Sequence, residues 1–167
     1  MNPIAREPAE ILLVDDDSLA LASATAALDL AGHIVYQACD RATALRIART
    51  EALDLVICDV NLGGDNGLDL ARELRRLPGM QDAPVMFISR TQLPDIVRRS
   101  HEAGAAYYLR KPLDPDVLID LVGKALWLPH LVQSRLAMHE PASQPVPPRK
   151  MQSARAAAIQ GIRLPLA

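Results

Sequence analysis

The sequence predicts an α/β fold, a parallel sheet of five strands with helices on both faces. Three observations predict it. Between residues 10 and 128, short apolar runs alternate five times with longer amphipathic ones, divided by Gly, Pro, Asp or Asn. The runs Ile11 to Val14 and Leu55 to Cys58 are continuously apolar and carry β-branched residues, the pattern of strands buried on both faces. The composition is 50% apolar but only 3% aromatic, which suits helices rich in Ala and Leu packed on such a sheet.

Each element has its own signal. After the first strand, Ser18 to Ala31 reads as a helix capped by Asp17 or Ser18, with Leu21 and Leu28 inward and Gly32 to stop it. His33 to Ala38 is a second strand, and Asp40 caps a helix to about Arg49 that sets Ala44, Leu45 and Ala48 inward. The third strand ends near Asp59. Asp65, Asn66 and Gly67 open a third helix, with Leu68, Leu70, Ala71 and Leu74 on its apolar side. Pro84 to Ser89 is the fourth strand. Pro94 suits the first turn of a helix running to about Ala103, and Gly104 stops it. Tyr107 to Arg110 is the fifth strand, ending at Lys111-Pro112, and Asp114 and Pro115 cap and start the last helix.

The remainder divides by composition. Residues 1–9 are a lead, 10–128 the domain, 129–140 an expected helical extension past Pro129, 141–149 a Pro-rich linker and 150–167 a basic, Ala-rich tail. Charge is split the same way. Residues 1–128 hold 13 basic and 19 acidic side chains, net −6, and residues 129–167 hold 5 and 1, net +4. An acidic domain with so short a tail does not suit direct DNA binding. There is no signal-peptide core and no run of ~18 apolar residues, so a cytoplasmic chain away from the membrane is expected. Cys39 and Cys58 have no metal or redox spacing and read as reduced structural thiols.

Function is written at the strand ends. Asp15, Asp16 and Asp17 follow the first strand and Asp59 ends the third. A lone carboxylate in such a place either caps a turn or stands where α/β folds put their chemistry. Two clusters change the balance: on neighbouring parallel strands they converge, and each carboxylate pair about 4 Å apart repels by roughly 4 kcal/mol at an effective dielectric near 20. Such a cluster needs a cation, or a carboxyl must keep its proton.

In order and at their strand ends, five features resemble the receiver domain of two-component response regulators. They are Asp15-Asp16, Asp59 with Gly67 eight residues on, Ser89 after the fourth strand, and Lys111-Pro112 after the fifth, over about residues 10–127. The resemblance implies a flavodoxin-like, doubly wound sheet of order 2-1-3-4-5. It implies that Asp59 is the phosphoacceptor, taking a phosphoryl group from a phosphohistidine. Asp15, Asp16, Asp59 and the backbone carbonyl of Asn61 would hold Mg²⁺. Lys111, on a cis bond to Pro112, would pair with Asp59 or the phosphoryl oxygens, while Ser89 and Tyr108 would act as the switch. Asn61, Arg90 and Thr91 are candidate modulators.

The implied partners are a histidine kinase or histidine phosphotransfer protein and a downstream protein target, reached through the face of the fourth helix, fifth strand and fifth helix. A homodimer formed on phosphorylation is a further expectation. The chain would be a signalling phosphoacceptor rather than an enzyme, though one that assists its own phosphorylation.

Two departures stand out. Where the family usually has Met-Pro after the phosphoacceptor, Leu62-Gly63 stand here with Gly64 beyond, and a small residue beside Ser89 is replaced by Arg90. Arg90 either lies over the pocket, hindering water and small donors or pairing with the phosphoryl group, or extends into solvent. The alternative function is a receiver fold used for docking or oligomerisation without phosphorylation. A phosphatase using two aspartates is disfavoured by Asn61, which stands where the second would be. His101-Glu102 and His139-Glu140 read as solvated pairs.

Overall fold

The computed structural model describes residues 8–91 and 94–137. The expected linker at 141–149, the tail at 150–167, His139-Glu140 and nearly all of the lead lie outside the described residues.

The elements run β1 (Glu10–Val14), α1 (Ser18–Leu30), β2 (Ile34–Ala38), α2 (Arg41–Thr50), β3 (Leu55–Asp59), β4 (Asn61–Leu62), β5 (Asp65–Asn66), α3 (Gly67–Leu74), β6 (Val85–Ser89), α4 (Ile96–Glu102), β7 (Tyr107–Arg110) and α5 (Pro115–Ala137). Five strands form one parallel sheet in the order β2-β1-β3-β6-β7, which is the expected 2-1-3-4-5 arrangement. The short β4 and β5 pair antiparallel as a hairpin of their own.

The period-two alternation of the strands sends neighbouring residues to opposite faces and makes two cores. Leu12, Val14, Val56, Cys58, Val85 and Phe87 pack with residues of α2, α3 and α4, including Ala44, Ile47, Leu68, Leu74 and Ile96. Ile11, Leu13, Leu55, Ile57, Met86 and Ile88 pack with Leu21, Ala24 and Leu28 of α1 and Leu118, Val122 and Ala125 of α5. Phe87, Leu13 and Ile57 have no exposed surface, and burying each such side chain contributes about 1.5–3 kcal/mol. Both faces of β1, β3 and β6 are therefore closed, and their carboxyl ends are left as the place where polar side chains gather.

The caps are those the sequence indicates. Asp17 accepts from the N–H groups of Leu19 and Ala20, Asp40 from that of Thr43, Asn66 from that of Leu68 and Asp114 from that of Asp116. Two readings, the start of α4 and the structural role of Cys39, are corrected. Helix α4 starts at Ile96 rather than Pro94, because Pro94 and Asp95 form a turn and the Asp95 side chain makes no capping bond. Helix α5 carries Pro129 within it and continues to Ala137 as one element. Cys39 is exposed, its thiol donating to the Asp40 carboxylate, so only the buried Cys58 is structural. Among the described residues no helix is long and apolar enough to cross a membrane.

Candidate phosphoacceptor site

β1 delivers Asp15. The Asp15 N–H donates to Ala38 O at 3.0 Å, continuing the sheet one residue past Val14. Its side chain is held at 1% exposure, and its Oδ1 accepts from the Asp17 N–H at 3.0 Å. Asp16 is exposed beside it. β3 delivers Asp59, 6% exposed, whose Oδ1 accepts from the Asn61 N–H at 2.9 Å. One carboxylate oxygen from each of Asp15, Asp16 and Asp59 lies within 4.8 Å of the other two.

β7 delivers the cation. The Lys111 N–H donates to Ser89 O at 2.9 Å, and the bond to Pro112 is cis. Lys111 Nζ donates to Asp59 Oδ2 at 2.5 Å and stands 2.5 Å from Asp15 Oδ2. The second approach is an ion pair without hydrogen-bond alignment, so Asp15 Oδ2 is buried with a charge partner but no hydrogen-bond donor.

The pKa directions follow. Burial pushes the Asp15 carboxyl up, against the lowering effect of Lys111 and the Asp17 N–H. For Lys111 burial acts downward, but its pairing with the Asp15 and Asp59 carboxylates outweighs it and the ammonium pKa is raised. The lysine is thus firmly charged at neutral pH.

With all three carboxylates ionised, one lysine leaves the cluster at net −2. The donor set is entirely oxygen, part buried and part open at Asp16, with an undonated oxygen on Asp15. These residues fit a small hard divalent cation such as Mg²⁺, which takes one or two carboxylates and keeps several waters.

β6 and the loop beyond it close another side. Ser89 is fully buried, and its Oγ accepts from the Thr91 N–H at 3.0 Å. Asn61 Nδ2 donates to Thr91 Oγ1 at 2.6 Å, and the Tyr108 hydroxyl donates to Thr91 O at 3.1 Å. Thr91 therefore touches Ser89, Asn61 and Tyr108 at once. Burial raises the Tyr108 phenol pKa, with the Ser89 hydroxyl acting in the opposite direction. Arg90 does not trail freely into water: its guanidinium is paired with Asp17 Oδ2 while the side chain stays 72% exposed. This Asp17 contact is one that sequence reasoning missed, since the partners are 73 residues apart.

The β4–β5 loop completes the rim. Gly63 and Gly64 have φ of +54° and +109°, and a Cβ on Gly63 would come within 3.4 Å of Asp16 Oδ2. Behind it, Gly67 presses on the backbone of Asp59.

Comparison with known proteins decides the family. The model of the response regulator receiver domain matches residues 11–123. The chain belongs to the response regulator receiver family. Receivers are phosphoacceptor domains of two-component signalling that work with histidine kinases or phosphotransfer proteins, and they typically bind Mg²⁺ through an acidic cluster.

Among the relatives of this receiver, the sensor histidine kinase AruS of Pseudomonas aeruginosa is 38% identical over 117 residues, 69% of this chain and 12% of that one. The gliding motility regulatory protein of Myxococcus xanthus is 32% identical over 128 residues, 74% of this chain and 16% of that one. The receiver thus spans less than a fifth of either relative. A solved response regulator from Burkholderia pseudomallei with a phosphorylated aspartic acid, calcium ion and citrate is 25% identical, with a TM-score of 0.62 over 81% of this chain and 77% of that one.

Proposed function

We propose that Asp59 accepts a phosphoryl group from a phosphohistidine on a partner histidine kinase or phosphotransfer protein, and that the chain relays this as a change in its α4, β7 and α5 face. The observation that carries the reading is Lys111 Nζ, 2.5 Å from both Asp59 Oδ2 and Asp15 Oδ2. A single cation shared by two buried carboxylates marks where negative charge is received and held.

In the transfer, an Asp59 carboxylate oxygen forms a bond to phosphorus as the bond from phosphorus to the histidine nitrogen breaks, giving an acyl phosphate. The Asn61 N–H orients the carboxylate through Oδ1. Lys111 follows the charge as it moves onto the phosphoryl oxygens. Asp15, Asp16 and Asp59, with the backbone carbonyl of Asn61, are the groups that would hold Mg²⁺. When bound, the ion offsets the charge of the cluster and of the transferring group.

The Ser89 hydroxyl, which accepts from Thr91 N–H, would turn its proton to a phosphoryl oxygen. That movement shifts Thr91, and with it the partner of the Tyr108 hydroxyl, so the pocket is tied to the β7 side of the domain through one residue. Output then passes to a protein target or to a second copy of the chain.

The test is intact mass after incubation with a small phosphodonor, with Mg²⁺ or with chelator, beside Asp59→Asn. One phosphoryl adduct that needs both Mg²⁺ and Asp59 is expected. A parent chain that gains none from any small donor or from phosphorylated phosphotransfer proteins would favour docking without phosphorylation.

A further inference from the structure

Trp127 is the chain's one tryptophan, and it stands 51% exposed on α5. With Tyr107, the first residue of β7, and with Ile119 and Leu128, it lines a groove of about 520 Å³ beside α5. Gly123 belongs to the same lining and adds no side chain to it. The charged members are Asp120 and Lys124, an exposed pair one helical turn apart. Two aromatic rings with aliphatic neighbours are the lining that takes an extended, proline-rich strand.

The chain carries such a strand close by. Residues 141–148 hold four prolines, with Pro145 and Pro148 at Pro-x-x-Pro spacing, and Arg149 and Lys150 follow directly. A sequence of this kind is pre-set for the polyproline conformation, so seating it on a surface costs little entropy. Helix α5 ends at Ala137, ten residues past Trp127, which leaves residues 138–140 for the chain to turn back.

Length sets the register. A polyproline strand advances about 3.1 Å per residue and a helix about 1.5 Å, so a strand returning along α5 passes about two helix residues for each of its own. Counted from Pro141 beside Ala137, Val146 comes level with Trp127, Pro148 with Gly123, and Lys150 with Ile119 and Asp120. The prolines meet the aromatic side chains and the gap at Gly123. The cations meet Asp120, with Asp116 one turn further on. The exposed bond of Asp120 to Lys124 is weak and yields to them at little cost.

We propose that residues 141–148 fold back on α5 of their own chain and dock as an extended strand in the groove of Trp127 and Tyr107, with Arg149 and Lys150 against Asp120. So short a connection presents the segment at an effective concentration of about 1 mM, and a contact too weak to hold a separate peptide in dilute solution is occupied within the chain. The docking is independent of phosphorylation at Asp59. Where α5 and β7 carry output, as proposed above, the docked segment competes with the target for the same surface.

The experiment reads the emission of Trp127 and its quenching by acrylamide in the 167-residue chain, with no phosphodonor present. The parent is compared with a variant carrying Pro145→Ala, Pro147→Ala and Pro148→Ala, and with Pro165→Ala, which changes a proline outside the segment. All these changes lie beyond the receiver, so loss of its fold does not account for an effect. The triple variant is expected to show red-shifted emission and about twofold stronger quenching, as release of a segment held at this effective concentration supports, while Pro165→Ala matches the parent. A peptide of residues 141–150, added at millimolar concentration, should return the triple variant to the parent's quenching. Equal quenching in parent and triple variant, or a peptide without effect, would overturn the docking. Quenching of the parent that weakens as protein concentration rises would overturn docking within one chain and place the segment of one copy in the groove of another.

Discussion

Gly67 lies so close to Asp59 that a Cβ on it would fall 1.9 Å from the Asp59 carbonyl oxygen and 3.1 Å from Cys58 Sγ. The first residue of α3 is packed against the backbone that carries the phosphoacceptor, and its N–H donates to Val60 O at 2.7 Å. Backbone cannot yield as a flexible side chain can. Gly67→Ala is expected to destabilise the fold by about 1–3 kcal/mol, as overpacking does. Thermal or urea denaturation checks this, and a stability equal to the parent's would show that the helix start moves without cost.

Lys111 is the only cation seen in contact with Asp15 and Asp59 among the described residues. Replacing it by Met leaves two buried carboxylates facing one another. Loss of one partner from a buried pair costs about 3–5 kcal/mol, and Lys111→Met measured in chelator should approach the lower end of that range. Mg²⁺ should restore more stability to this variant than to the parent, since it supplies the missing positive charge. Denaturant midpoints with and without the ion measure the difference.

Mg²⁺ should also raise the stability of the parent. A ligand that binds only the folded state, present at ten times its dissociation constant, adds about 1.4 kcal/mol, and chelator removes it. For a chain of this size that is a rise of roughly 3–6 °C in thermal midpoint. Asp16→Asn, which alters the exposed member of the cluster, should greatly reduce the rise. A rise of equal size in that variant would place the ion elsewhere.

Acid sensitivity has a separate source in the helix caps. The Thr43 N–H bond to Asp40 holds the Asp40 carboxyl below its ordinary value of 3.8, with smaller help from the Thr43 and Cys39 side chains. A lowered folded pKa contributes stability above the unfolded value, and that stability is lost as pH falls through the folded one. Asp40→Ala should therefore be less stable than the parent at pH 7, with the gap closing below about pH 3.8. Urea midpoints at both pH values test it. A gap independent of pH would mean that the carboxylate charge does not contribute.

Much of this was legible in the sequence because buried parallel strands leave a simple trace. Continuous apolar runs stop abruptly, and Asp15, Asp59, Ser89 and Lys111 each stand where one stops, so the sheet brings them together once the strands are in register. The capping residues Asp17, Asp40 and Asn66 were readable for a local reason, since each acts on N–H groups two or three residues ahead. The β4–β5 hairpin was not readable, because strands of two residues carry no period, although Gly63-Gly64 marked its turn. Nor were the pairs Arg90 with Asp17 and Asn61 with Thr91, whose members meet only after the loops have been placed. Pro94 misled, since it stands before its helix, whereas Pro129 is carried inside one.

The identity of the phosphorylated residue is the most direct test. Borohydride reduces an acyl phosphate and leaves homoserine in place of the aspartate, so peptide mapping after treatment with donor, Mg²⁺ and borohydride reads the acceptor by position. Homoserine at Asp59, with Asp15 and Asp16 unchanged, is the predicted result. Homoserine at Asp15 or Asp16, or a phosphoryl adduct that leaves Asp59 unreduced, would contradict it.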